Sequence, residues 1–287
     1  MRALLVLIVV TAVWGVTFVQ VKDAVALYPL FAFLALRFAI ASLTLAPAAG
    51  RLRRLGRAGW FAGILAGALV GGGYALQTAG LERTSVSSTG FITGMYVVLT
   101  PLLALVVFRV RVGAYAWLGV SLATIGLALL SGIHGGAVAG DLLVLAGAAV
   151  YSLQIVLMER YAPRFDAIAF TLVEMLTCFA GLVVIAAALR ELRVPHGWTV
   201  WGALVVTGVF ASALGYLAQT WAQRHASATQ TALAFTLEPV WTAFFGFTLA
   251  GDRLGSTAWL GCAVIMAGIV IAEPAAAGVL ARLVGRR

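Results

Sequence analysis

Three ionisable side chains, Arg37, Glu174 and Glu238, lie inside long apolar stretches of this sequence. A charge placed there costs at least ~2.5 kcal/mol in hydrocarbon unless it is paired or hydrated. Around them stand three Tyr/Gln pairs spaced i, i+3: Tyr74 with Gln77, Tyr151 with Gln154, and Tyr216 with Gln219. On a helix each pair shares one face. What such faces offer is recognition by aromatic rings and neutral amides, not bond making. A fourth polar face, Thr89, Thr93, Tyr96 and Thr100, is spaced 4, 3 and 4. It reads either as the wall of a cavity or as hydroxyls bonded back to their own helix in close packing. Glu238, beside Pro239, can hold a solute ammonium or a coupling proton, or it can satisfy carbonyls freed by the proline. For Arg37 a structural role is expected, either paired or snorkelling to an interface, and Glu273, near the end of an apolar run, is expected to reach water.

Nothing in the pattern points to catalysis, a metal or a cofactor. His134, His196 and His225 all fall in breaks between apolar runs, no paired carboxylates share a helix face, and no ligand spacing suits a metal. Cys178 and Cys262 each sit within an apolar run, where they read as free packing residues.

The elements that position these groups follow from composition. Of 287 residues 63% are hydrophobic and only 10% charged, with a mean hydropathy of +1.06. That is too little charge to cover a soluble globule of this length, so the chain belongs in lipid. Its net charge of +9 is scattered in short breaks between the runs, without the basic face and stacking aromatics that nucleic acid requires. Runs of about 20 apolar residues, enough to cross a hydrocarbon core, fall near 3–21, 28–48, 58–80, 88–108, 114–132, 141–158, 166–188, 198–218, 229–250 and 257–273. The fold expected is therefore an all-α polytopic membrane protein with ten transmembrane helices. The first run imitates a signal peptide, with Arg2 before it and Ala24-Val25-Ala26 after it. It is nevertheless long enough to span, and its counterpart in the second half starts at Asp141, where no signal acts.

The ten runs are five runs written twice. Gly73-Tyr74-Ala75-Leu76-Gln77-Thr78 returns as Gly215-Tyr216-Leu217-Ala218-Gln219-Thr220, Ser85 pairs with Ser227, Thr89 with Thr231, and Leu99-Thr100-Pro101 with Leu237-Glu238-Pro239. Upstream, Trp14 aligns with Tyr151, Ala32-Phe33 with Ala169-Phe170, and Arg37 with Glu174. The expected units are 1–136 and 137–275, followed by a basic tail, 276–287. Five is odd, so the second unit crosses the membrane upside down relative to the first. Inverted repeats place a solute site near mid-membrane and allow alternating access. Of the 19 basic residues, 13 fall in one set of breaks with both termini and five in the other, which predicts cytoplasmic termini. Pro101 and Pro239, at equivalent places, and Gly73 and Gly215 are hinge candidates, the glycines equally well explained by close helix packing.

Together these residues resemble the EamA family of the drug/metabolite transporter superfamily. The likeness rests on Trp14-Gly15-Val16-Thr17-Phe18, Leu36-Arg37-Phe38, Tyr74-Ala75-Leu76-Gln77 with Gly80-Leu81 and Thr84-Ser85, Gly140-Asp141-Leu142-Leu143, and Leu237-Glu238-Pro239-Val240. It covers essentially the whole chain. The resemblance implies two inverted repeats and transport of small metabolites through a central cavity, commonly the export of amino acids and related compounds. The small multidrug exporters use a glutamate in their first helix, which this chain lacks. Phosphate-carrying relatives need cations, for which Arg37 alone is thin.

The expectation is an inner-membrane exporter of amino acids or related amphipathic metabolites, with a small-molecule solute and the lipid bilayer as its partners. A multidrug exporter of the same superfamily is the second reading, and a channel the third. The expected solute contacts are Trp14, Thr17, Tyr74, Gln77, Tyr96, Thr100, Tyr151, Gln154, Tyr216, Gln219, Glu238 and Trp241, from the first, third, fourth, sixth, eighth and ninth runs.

Overall fold

An apolar run in lipid has one local way to satisfy its backbone, which is to bond it internally as helix. The computed structural model describes residues 2–84, 86–109, 112–131, 138–249 and 255–272, and every regular element among them is helical. The expected unit boundary at 136/137, His134, Arg111, Asp252-Arg253, Glu273 and the tail 276–287 lie outside the described residues. The first three runs form α1 (Arg2–Leu27), α2 (Leu30–Leu45) and α3 (Gly56–Leu81). The fourth run splits into α4 (Val86–Gly94) and α5 (Tyr96–Phe108), after which come α6 (Ala114–Ser131), α7 (Val138–Tyr161) and α8 (Ala167–Ala188). The eighth run holds α9 (Trp198–Val205), a π-helical segment (Val206–Leu214) and α10 (Gly215–Ala222). The chain continues as α11 (Ala228–Phe235), α12 (Leu237–Leu249) and α13 (Ser256–Ala272).

Among the described residues six stretches are long and apolar enough to cross a membrane: Arg2–Leu27, Leu30–Arg54, Gly56–Leu81, Val138–Arg164, Ala167–Ala188 and Trp198–Ala222. Three shorter apolar helices, Ile92–Phe108, Ala114–Leu129 and Ser256–Ala272, accompany them. The chain is a polytopic membrane protein built from helices.

Helix ends follow local chemistry. Pro29 sets the backbone before α2 but offers no side-chain cap. The Glu191 carboxylate, 160 residues away, supplies one by accepting the Phe31 N–H at 2.8 Å. Asp166 caps α8 through the Ala169 N–H at 3.0 Å and also meets Arg51 at 3.4 Å. Ser227 and Gln230 close a reciprocal capping box on α11.

Two interruptions depart from the expected unbroken runs. The fourth run breaks at Met95 and the ninth at Thr236. Pro101 lies within α5, but Pro239 is in the first turn of α12, where its missing N–H removes no bond inside that helix. The loss falls instead on the carbonyl of Phe235, four residues earlier and across the break. The π-helical segment is a third irregularity, of a kind frequent at functional sites.

Packing is direct. α2 lies against α8, α6 against α13, α3 against both α7 and α8, and the stretch 198–222 against α1 and α2. At the α6–α13 contact a Cβ on Gly119 would stand 2.6 Å from the Gly268 carbonyl oxygen, and one on Gly268 2.8 Å from that of Gly119. Only backbones bare of side chains approach so closely. Large apolar residues such as Val9, Phe61, Val106 and Val184 face outward, while Arg37, Glu174 and the glutamines Gln77, Gln154, Gln219 and Gln223 are buried. The outside is apolar and these polar groups are held inside, among an otherwise apolar core, as lipid demands.

Candidate functional site

The Tyr/Gln faces converge because the helices that carry them pack together. α3 brings Tyr74 and Gln77, α7 brings Tyr151 and Gln154, and α10 brings Tyr216 and Gln219. Between them is a two-lobed cavity. One lobe, about 420 Å³ of empty space including its mouth, is lined by Trp14, Thr17, Val21, Arg37, Tyr74, Gln77, Thr78, Leu81 and Glu238. The other, about 410 Å³, adds Thr93, Tyr96, Tyr151, Gln154, Ile155, Tyr216, Gln219 and Phe235. Trp14, Tyr74, Gln77 and Glu238 line both lobes, so the two lie side by side.

The aromatic wall is continuous. Trp14 meets Phe235 edge-on at 4.9 Å between centroids and lies 5.6 Å from Tyr216. Tyr74 meets Tyr151 edge-on at 5.6 Å and Phe38 at 5.3 Å. Trp14 is fixed by its indole N–H, which donates to the Ala211 carbonyl of the π-helical segment at 2.8 Å. Gly73 lets Tyr151 close the wall, since a Cβ there would stand 2.5 Å from Tyr151 Cε1.

The amides form two networks. Gln77 donates through Nε2 to Thr93 Oγ1 at 2.9 Å and accepts from the Tyr151 hydroxyl at 3.3 Å. Gln219 donates through Nε2 to Gln154 Oε1 at 3.0 Å and to Gln223 Oε1 at 2.9 Å, and Gln223 donates onward to the Ile155 carbonyl. Gln154 donates to Glu174 Oε1 at 3.0 Å. Glu174 thus sits at the buried end of a chain of amides that starts at the cavity wall, and its Oε2 has no hydrogen-bond partner.

Tyr96 sends its hydroxyl proton to the Phe235 carbonyl at 2.7 Å, and Glu238 Oε2 stands 3.4 Å from the same hydroxyl. The carbonyl freed by Pro239 is therefore satisfied by Tyr96. Of the two readings of Glu238, the one in which it serves that carbonyl does not hold, and its carboxylate faces the cavity.

Of the twelve residues expected to contact solute, ten line the cavity and Thr100 and Trp241 do not. Thr100 is fully buried in α5 with an unpartnered hydroxyl. The Trp241 side chain packs against Gly15, where a Cβ would be 2.8 Å from its own, and its ring stacks on Phe245. The hinge candidates Gly73 and Gly215 are tight packing points, the latter against Trp14 Nε1. The four hydroxyls of the fourth run divide at Met95, and only Thr93 and Tyr96 of them reach the cavity.

Arg37 corrects a sequence expectation. It is 3% exposed, so it does not snorkel, and no acidic partner lies within salt-bridge distance among the described residues. Nε donates to Ser212 Oγ at 2.7 Å and Nη2 to the Tyr74 hydroxyl at 2.9 Å, while Cζ lies 4.5 Å from the Tyr74 ring centroid. α2 thereby joins the cavity wall. The signal present in the sequence is a cation in an apolar run, which is by default a functional feature.

The sequence matches the EamA-like transporter family over residues 1–132 and again over 138–272. It is 29% identical over 269 residues to an uncharacterized transporter of Archaeoglobus fulgidus, covering 92% of this chain and 83% of the relative. It is 27% identical over 212 residues to the uncharacterized transporter YyaM of Bacillus subtilis, covering 69% and 68%. A protein of known crystal structure aligns over 97% of this chain and 98% of its own with a TM-score of 0.80 at 19% identity, a likeness of fold.

Proposed function

The chain belongs to the EamA-like transporter family, and we propose that it is a carrier exporting amino acids or related small amphipathic metabolites across the inner membrane. Both termini face the cytoplasm in this reading, in keeping with the distribution of basic residues. Residues 1–136 and 137–275 act as two inverted repeats that rock about the cavity and open it to each side in turn. Two separate family matches support the repeat. The helix contacts support it too, because exchanging the halves maps them onto one another. α2 and α8 are counterparts and touch, as do α6 and α13. The packing of α3 on α7 and α8 corresponds to that of 198–222 on α1 and α2.

The observation that carries the proposal is the cavity wall itself. Tyr74, Tyr151 and Tyr216 from both halves stand beside Gln77, Gln154 and Gln219 around one space. Rings and neutral amides suit a solute with an apolar body and a polar end. Glu238 adds one acid to the wall.

Counterflow tests the reading. Liposomes holding the purified protein are preloaded with unlabelled amino acids and challenged with labelled ones, at matched pH and sodium on both sides. Saturable uptake that depends on internal solute is the expected result and separates a carrier from a channel. If none of the twenty exchanges while the protein is folded and inserted, the amino-acid assignment falls, and aromatic toxic compounds become the solutes to test.

A further inference from the structure

We infer that Arg37 and Glu238 together select a zwitterion, Arg37 holding the solute carboxylate and Glu238 its ammonium. This rests on the reading of the cavity as a carrier site. A guanidinium and a carboxyl group line the same lobe, yet they form no ion pair with each other among the described residues. Each keeps bonding capacity in reserve. Arg37 spends Nε on Ser212 and one Nη2 proton on Tyr74, both neutral partners, and Nη1 makes no hydrogen bond among the described residues. The edge formed by Nη1 and the second Nη2 proton has the fork geometry that fits a carboxylate with two parallel bonds. Among the described residues the Glu238 carboxyl group has only the Tyr96 hydroxyl, at 3.4 Å, and that hydroxyl is already committed to the Phe235 carbonyl at 2.7 Å.

Two unpaired charges in a membrane interior are expensive, and a single solute carrying both complementary charges offsets both costs at once. A simple amine would leave the guanidinium without its counterion, and a simple acid would leave the carboxylate without one. Glu238 also lines the second lobe, whose walls are Trp14, Tyr96, Tyr151, Tyr216 and Phe235. A solute held at its α-carbon end by the two charges would extend its side chain among these rings. The class selected is free α-amino acids with apolar or aromatic side chains.

The test uses phenylalanine, phenethylamine, which lacks the carboxylate, and N-acetylphenylalanine, which lacks the ammonium. Binding of each to the purified full chain is measured by calorimetry, alongside phenylalanine counterflow in liposomes. The wild type is expected to bind phenylalanine at least about tenfold more tightly than either analogue, since a buried charge left without its partner discriminates strongly. Arg37→Gln should erase the preference over phenethylamine and keep that over N-acetylphenylalanine, and Glu238→Gln should do the reverse. Arg37→Lys keeps the charge without the fork and should show an intermediate preference, which serves if Arg37→Gln does not fold. Wild-type binding of either analogue as tight as that of phenylalanine, with counterflow intact, overturns the assignment and leaves the carrier standing. So does an Arg37→Gln variant with the wild-type preference. Absence of binding and exchange for all three compounds, with no exchange of any of the twenty amino acids, overturns the amino-acid reading of the cavity as well.

Discussion

The hydroxyl of Tyr96 donates at 2.7 Å to the carbonyl of Phe235, the one that Pro239 leaves without a helical donor. One side chain from the first half of the chain thus closes a backbone gap in the second. Tyr96→Phe should orphan a buried carbonyl and lower stability by about 1–3 kcal/mol. In a Pro239→Ala background residue 239 supplies its own N–H, and the same substitution should cost less. A double-mutant cycle read from unfolding in detergent checks this, with a coupling of about 1 kcal/mol expected. Simple additivity would break the link between the phenol and the proline.

Gly73 and Gly72 are neighbours with opposite surroundings. A Cβ at Gly73 would meet Tyr151 Cε1 at 2.5 Å, whereas one at Gly72 meets nothing within 4 Å. Gly73→Ala should therefore displace the Tyr151 ring, destabilise by about 1–3 kcal/mol as overpacking does, and impair transport. Gly72→Ala should leave both unchanged. Equal thermal midpoints and equal counterflow for the two variants would show that Tyr151 does not depend on the bare backbone.

Much of the cavity was legible because its residues are polar where lipid tolerates no polarity. Gln77, Gln154 and Gln219 announce themselves in apolar runs, and i, i+3 spacing puts each beside a tyrosine. Thr100 and Trp241 share that logic but not the outcome. A helical face is longer than a cavity, and Thr100, one turn beyond Tyr96 on α5, is buried in packing past the cavity's edge. For Arg37 the bonding was not legible, because periodicity says nothing of a partner's distance, and only packing shows that Ser212 and Tyr74 hold it and that no carboxylate among the described residues reaches it. The break at Thr236 is legible only in retrospect, since a proline in the first turn of a helix looks in sequence like one in its middle.

The far end of α3 carries a pH dependence outside the membrane-spanning segments. The Glu82 carboxyl is pushed above its ordinary 4.5 by partial desolvation first and by the nearby Glu191 second, with Arg83 opposing. A proton held more tightly in the folded chain stabilises fully below the ordinary value, and that contribution is lost as pH rises through the folded one. Stability should thus fall as pH rises from about 4.5, by a small amount because Glu82 is exposed to water. Glu82→Gln should match the wild type under acid conditions and exceed it slightly near neutrality. Thermal midpoints of both proteins across that range check the sign, and a wild type that gains on Glu82→Gln as pH rises would contradict it.

Gln77 and Gln219 occupy equivalent sequence positions but are held differently, and that difference separates a role in transport from a role in folding. Among the described residues the Gln77 side chain is bonded only to Thr93 and Tyr151, which both line the cavity and can turn to water when the amide is gone. Gln219 ties Gln154 to Gln223, and Gln223 is buried outside the cavity lining, so the loss of Gln219 strips it of a donor that cavity water does not replace. Gln77→Ala should therefore cut amino-acid counterflow about tenfold or more while shifting stability by less than about 1 kcal/mol. Gln219→Ala should cut counterflow as well, but with a stability loss of about 1–3 kcal/mol from the orphaned Gln223 amide oxygen. Counterflow at matched protein insertion, together with unfolding midpoints, distinguishes the two. Unchanged transport in both variants would remove the amides from the solute's path. A loss of transport that tracks the loss of stability in each would mean that the amides serve the fold alone.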